Sequence, residues 1–321
     1  MPQPTASDVH VNAALTNISI GYMQEANHFI ADKVFPIVPV SKQSDRYFVY
    51  DEGDFYRSEA TLRAPGTESA GAGFDIDNTP SYYAGVYAVH KDIDDQIRAN
   101  SDAAIQPDRD ATLFCTQQLL IKRELVWAAN NFTTGKWSAD IAGGGLLNGV
   151  WSSAGSTPIE DVDKQADTIL KQTGYKPNVM CVGADVHRVL KNHPDVLDRI
   201  RYTQEGIVTE DLLASLLGVD KYLVLRATQN TAQQGAANSM SFIGAADDAL
   251  LVYAPENPGL MVPSGGYHFA WNGYLGAGPQ GQRVKRFRME HLAADRVEGE
   301  MAFDAKLTSA ALGVFFNGCV A

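Results

Sequence analysis

Three groups of residues have the types and spacing from which chemistry can be built. The first is Gly276-Ala-Gly-Pro-Gln-Gly281, a formal match to G-x-G-x-x-G. A dinucleotide site needs a helix after such a loop, so that the free N–H groups of its first turn meet the pyrophosphate. Here Arg283-Val-Lys-Arg-Phe-Arg-Met-Glu290 follows and alternates like a strand, and Pro279 takes one N–H out of the cradle. The loop reads as a plain turn. The second group is Asp92, Asp94 and Asp95, which lack the glycine and the closing glutamate of a calcium loop. They read as a solvated turn or an intersubunit charge contact. The third is the basic run Arg283, Lys285, Arg286 and Arg288. On a strand, Arg283 and Lys285 share one face and Arg286 and Arg288 the other, and salt bridges to neighbouring acids are expected on both.

The remaining chemistry-bearing residues are scattered. The seven histidines (His10, His28, His90, His187, His193, His268 and His291) form neither H-x-x-x-H nor H-E-x-x-H. His187 and His193 stand six apart across a helix break and read as surface or capping residues. Neither a G-x-x-x-x-G-K-[ST] loop nor a G-x-S-x-G elbow is present. No catalytic residue, cofactor site or metal site is expected.

The elements that would position these residues belong to a chain of 321 residues with 45% hydrophobic and 20% charged content, ordinary values for a globular protein. Acids outnumber bases 38 to 26, a formal net charge of −12, which argues against a broad basic face for gripping nucleic acid. Cys115, Cys181 and Cys319 are far apart and odd in number, and read as free thiols in a reducing compartment. The N-terminus has no signal-peptide pattern, and no apolar run is long enough to span a membrane.

Residues 1–43 read as a partly extended arm. A short helical stretch over 18–30 is followed by Phe35-Pro-Ile-Val-Pro-Val40, whose prolines favour extended backbone. Residues 44–95 read as a long hairpin. It opens with Arg46-Tyr-Phe-Val-Tyr50, runs through about thirty residues poor in large aliphatics, and closes with Tyr82-Tyr-Ala-Gly-Val-Tyr-Ala-Val-His90. Such a hairpin cannot bury a core of its own, so it is expected to rest on another copy of the chain. The spacing predicts a helix over 107–131, with Pro107 at its first position and Asp108 and Asp110 at the positive end of its dipole. Its apolar positions are read as Ala111, Phe114, Ile121, Leu125 and Ala128, broken at Gln118. At ~1.5 Å per residue this is a rod of ~36 Å.

Residues 132–157 are a glycine- and serine-rich connector anchored by Trp137 and Trp151. Thr157-Pro-Ile-Glu160 reads as a capping box opening a helix that stops at Gly174. An α/β pattern then runs to about residue 253. Two long alternating strands follow, 283–291 and 296–305, turning at 292–295, and Gly313-Val-Phe-Phe-Asn-Gly-Cys-Val320 closes the chain as an apolar strand.

This order of parts resembles the major capsid proteins of tailed bacteriophages, the Hong Kong 97-type fold. The stretch Thr173-Gly-Tyr-Lys-Pro-Asn178, then Gly183, Leu190, His193-Pro-Asp195, Asp198 and Tyr202, is similar to the start of that family's axial domain. Phe269-Ala-Trp271 and Gly313-Val-Phe-Phe-Asn317 add to the likeness. The resemblance implies an α+β fold with an N-arm (1–43), an E-loop hairpin (44–95), a P-domain (96–156) with its spine helix, an α/β A-domain (157–269), a P-domain return hairpin (270–306) and a C-terminal strand (307–321). It implies no enzyme. Copies would form hexamers and pentamers of an icosahedral head, assembled in the host cytoplasm, with a portal at one vertex and packaged double-stranded DNA that is not specifically recognised. A decoration protein would add stability from outside. The arm reads as starting at Met1 with little before it, which implies a separate scaffolding protein.

The E-loop would lie over the adjacent subunit. Asp54, Arg57, Glu59 and Arg63 are expected to make salt bridges there, and Phe55, Tyr56 and Leu62 to pack the arm's underside. Some relatives cross-link through an E-loop lysine; between Ser44 and Tyr82 this chain has Arg46, Arg57 and Arg63 but no lysine, so attachment is expected to be non-covalent. Two alternatives stand beside this reading: an encapsulin-like compartment of the same fold, and a soluble α/β enzyme.

Overall fold

A computed structural model describes residues 23–101, 106–200, 208–259, 261–273 and 281–321. The chain opens with helix α1 (Ala31–Val34) and strand β1 (Ile37–Val40). An arm follows, built from β2 (Ser44–Arg46), β3 (Val49–Tyr50), α2 (Glu52–Tyr56), β4 (Ile76–Asp77) and β5 (Ser81–Tyr83). Next come β6 (Gly85–Asp94), α3 (Asp95–Asn100) and the long helix α4 (Pro107–Asn131). The α/β part holds β7 (Ala139–Ala142), α5 (Pro158–Thr173), β8 (Val179–Val182), α6 (Ala184–Lys191), α7 (Pro194–Ile200), α8 (Glu210–Leu216) and β9 (Lys221–Val224). A ribbon of β10 (Thr228–Asn230) and β11 (Met240–Phe242) precedes β12 (Ala249–Val252). The chain ends with β13 (Gly266–Trp271), β14 (Gln282–Met289), β15 (Ala294–Leu307) and β16 (Gly313–Asn317).

Two sheets carry the fold. In the first, β15 is the axis: β6 runs antiparallel along one side, β14 and then β13 along the other, and β1 adds to β13 in parallel. The second has the order β7-β16-β12-β8-β9. The apolar C-terminal strand therefore sits inside the second sheet, antiparallel to β12 and parallel to β7 from the glycine-rich connector. The boundary drawn after residue 269 falls inside β13, which belongs to the first sheet.

Strand alternation distributes the core. On β12, Ala249 and Leu251 face a cluster with α5, α6, α7 and α8, whereas Leu250 and Val252 face Trp127 and Phe132 on the opposite side. Helix α4 thereby ties the sheets together. Its first half lies on the first sheet, where Leu119 packs with Met301 and Phe303, and its second half sends Trp127 and Ala128 into the core of the second. At Gly299 an added Cβ would lie only 3.0 Å from Leu119 and 3.2 Å from Cys115, so the absence of a side chain there lets helix and sheet approach closely.

Three local expectations are corrected. The buried stripe of α4 is Ala111, Cys115, Leu119, Trp127 and Ala128; Phe114 is exposed and Ile121 and Leu125 only partly buried. Apolar residues occur on two faces of this helix, so periodicity could not choose between them. The capping box at α5 does not form: the Thr157 side chain makes no cap and its hydroxyl instead accepts from the Asn148 amide at 3.0 Å. Asp161 does the tying, accepting from Leu147 N–H at 2.8 Å and from the Trp151 indole at 2.9 Å. Finally, Asp92 and Asp95 meet cations of their own chain. Asp92 faces Arg296 at 2.7 Å and Asp95 faces Arg288 at 2.6 Å, while Asp94 caps α3 through Gln96 N–H.

Candidate assembly interface

The basic run on β14 behaves as alternation requires. Arg283 and Lys285 pair with Glu300 and Glu298 on one face of the first sheet; Arg286 and Arg288 pair with Asp295 and Asp95 on the other. Hydrogen bonds from Arg286 and Arg98 hold the Asp295 carboxyl down at about 2. The glycine motif 276–281 lies outside the described residues except for Gly281, which takes φ +62 and leads directly into strand β14. Ser156 and His193 form a pair at 2.9 Å, but both are buried. The His193 Nδ1 accepts from Asp195 N–H, which leaves the Nε2 proton facing Ser156 Oγ and Ser153 O. A ring so occupied ties the connector to α7 and is not free to act as a base. Among the described residues no group of three or more His, Cys, Asp or Glu is arranged to hold a metal ion, and no helix is long and apolar enough to cross a membrane.

What stands out instead is a contrast between two neighbouring stretches. Residues 29–35, placed by sequence in the arm, are part of the core, and 37–40 follow as a strand docked on the first sheet. Phe29, Ile30, Ala31, Val34 and Phe35 are buried, and Phe35 lies among Trp127, Trp137 and His268. Three polar side chains hold this plug. Glu124 on α4 accepts from Ile30 N–H at 3.2 Å and Ala31 N–H at 3.0 Å. Arg123 meets Asp32 at 2.9 Å, and His268 Nε2 donates to Ala31 O at 3.0 Å. Burial raises the Glu124 carboxyl to about 7, against the pull of the two N–H groups and Arg123. Burial also lowers His268 to about 3, with Arg123 adding to the effect. Sequence reasoning missed all three; the available signal was that 123 and 124 share a helical face with Trp127 and Ala128.

The arm proper is the opposite. Its root is firm: β2 pairs with β5, Tyr82 stacks on Phe269 at 4.5 Å, and Tyr83 N–H donates to Asp304 at 3.0 Å. Farther out, two-residue strands β3 and β4 pair and the Asp51 carboxylate caps α2. Phe55 joins Tyr50 and Phe74 in a small aromatic cluster, yet remains half exposed. Asp54 accepts from Asp75 N–H at 3.0 Å, and the Arg57 guanidinium sits 3.7 Å from both Asp54 and Glu59. Tyr56 turns inward and its hydroxyl donates to Thr173 O. Residues 57–75 are all exposed; Leu62 is fully so, and Arg63 closes a local turn by donating to Thr67 O. The fold thus gathers Asp54, Phe55, Arg57 and Glu59 into one cluster, directs Tyr56 to its own subunit, and leaves Leu62 and Arg63 on the free tip.

Comparison with known proteins agrees with this architecture. A family model described as phage major capsid protein E matches residues 146–262. The major capsid protein of Burkholderia phage BcepMu is 27% identical over 225 residues, covering 67% of this chain and 68% of that protein. A phage-related protein from Bordetella bronchiseptica RB50 superposes with a TM-score of 0.68 at 19% identity, covering 92% of this chain and 94% of the other. The mature capsid of bacteriophage PhiM1 does so with a TM-score of 0.60 at 11% identity, covering 97% and 92%. The two-sheet body bridged by a spine helix, with an arm standing off it, is the Hong Kong 97-type capsid fold. Together these likenesses support reading the chain as a tailed-phage major capsid protein.

Proposed function

We propose that copies of this chain form hexamers and pentamers that close into an icosahedral head around double-stranded DNA, with residues 57–75 lying over the adjacent subunit. The observation that carries this reading is the exposed tip. A stretch of nineteen residues with a fully exposed leucine and a half-exposed aromatic cluster at its base loses chain entropy on ordering and buries little in its own subunit beyond one side of Phe74. Contact with a neighbour supplies the missing burial. Leu62 and the open side of Phe55 then meet apolar surface, and Arg63 meets an acid, while Asp54, Arg57 and Glu59 adjust from pairs within the arm to pairs across the interface.

Affinity in such a shell is the sum of many modest contacts multiplied by closure. The net charge of −12 suits a wall that holds a polyanion without gripping it. A scaffolding protein during assembly in the host cytoplasm, a portal at one vertex and an external decoration protein accompany this reading as partners. Electron microscopy of particles recovered from lysed host cells, with nucleic acid measured on the same sample, tests it. Closed megadalton shells containing DNA are expected; a monomeric or small oligomeric chain, or shells filled with protein and free of DNA, would overturn it.

A further inference from the structure

We propose that Tyr56 is a strap that fixes the aim of the arm to its own subunit. Helix α2 is a little over one turn long, and consecutive residues on a helix diverge by ~100°. Phe55 therefore enters the arm's aromatic cluster while Tyr56 points away from it, to the end of α5. The last carbonyls of a helix have no intrahelical partner. The Tyr56 hydroxyl donates to that of Thr173, the final residue of α5. Gly174 follows in the left-handed conformation at φ +73, where its N–H donates to Leu170 O and closes the helix. It also clears the seat: a Cβ at position 174 would lie 2.7 Å from the Tyr56 hydroxyl oxygen and 3.2 Å from the ring carbon that bears it. One glycine thus serves both the helix cap and the phenol.

The arm consequently stands on two supports. Its root rests on the first sheet, through Phe269 and Asp304; its midpoint rests on α5, over the second. A rotation of one sheet against the other swings the tip. The strap is a single hydrogen bond from a side chain that is 59% exposed to a backbone carbonyl, so it sets a direction and lets go when a stronger contact takes the tip. What the strap is for rests on the reading of the arm as an assembly element, but its existence does not.

Limited trypsin digestion of unassembled subunits tests it, with initial rates read separately at two bonds. Arg57 follows α2 directly, and Arg63 lies six residues out on the open tip. Tyr56→Phe keeps the ring and removes the donor, so cleavage after Arg57 should rise about fivefold, the worth of one net hydrogen bond, while cleavage after Arg63 stays unchanged. Gly174→Ala, which fills the seat, should give the same selective rise. Equal Arg57 rates in the wild type and Tyr56→Phe, or rates at both bonds rising together, would overturn the strap. Because no shell is needed, failure here leaves the proposed assembly standing, and failure to assemble leaves the strap standing.

Discussion

Residues 29–40 and residues 44–83 lie only three residues apart, and both look like arms in the sequence, yet one is sewn into the body and the other stands outside it. The difference lies in what each stretch has to bury. The first carries Phe29, Ile30, Val34 and Phe35 within seven residues, and every one of them disappears from solvent. The second keeps its large apolar residues near its root and at α2, where Phe48, Phe55 and Tyr56 stay half exposed or more, and its tip offers only Leu62 between Tyr56 and Phe74. Proline content did not separate them, because extended backbone is equally suited to a strand docked in a sheet, as β1 is on β13, and to a free arm. The lesson is that an arm capable of reaching a neighbour must be apolar enough to bind there and too sparsely apolar to collapse at home.

The contrast can be broken from the plug side first. Phe35→Ala should cost roughly 3–5 kcal/mol, the range for losing a fully buried aromatic, and lower the unfolding midpoint accordingly in calorimetry; an unchanged midpoint would mean that the plug is dispensable. The next effect is on pH. The Glu124 carboxyl titrates at about 7 in the fold against an ordinary 4.5. Its contribution, roughly 3 kcal/mol, is therefore full below pH 4.5 and lost as pH rises through 7. His268 runs the other way, at about 3 against 6.5, with its contribution full above 6.5 and lost as pH falls toward 3. Between pH 4.5 and 6.5 the two trends oppose each other. Glu124→Gln removes one of them, so its thermal midpoint should climb across that window more steeply than that of the wild type; parallel curves would contradict the assignment. Arg123 and Asp32 face the same pocket, 2.9 Å from each other, and are left in place by the substitution.

On the arm side the effects on folding should be small. Leu62→Asp should change subunit stability by less than about 0.5 kcal/mol, as expected for a surface site without contacts, while lowering the yield of closed shells; a large loss of stability would show the tip to be part of the fold. Smallest of all is an expected absence of change. With no lysine between Ser44 and Tyr82, boiled and reduced particles should run as a single chain on a denaturing gel. A ladder of covalent oligomers would contradict non-covalent attachment.

Much of this fold was legible because the signals are local. Pro107, Asp108 and Asp110 mark the start of α4, Gly174 marks the end of α5, and the alternation of Arg283, Lys285, Arg286 and Arg288 gives both faces of β14 with their acids opposite. What escaped is non-local. Nothing near Gly313 says that β16 will lie between β7 and β12, because that register is set by strands about 60 and 170 residues away. Nothing in Glu124 distinguishes it from a surface glutamate until residues 30 and 31 bring it two N–H groups. At the candidate interface the sequence located the stretch but not the division of labour within it. Phe55 and Tyr56 are adjacent aromatics, and only the single turn of α2 sends one to the arm and the other to α5.

The central claim is that the arm is spare for folding and needed for closure. Sedimentation velocity of the chain lacking residues 52–79 tests it most directly. The cut ends meet where β2 pairs with β5, so the root can close as a short hairpin. A folded subunit or capsomer with no megadalton species is the predicted result. Normal shells, or a chain that no longer folds, would contradict it.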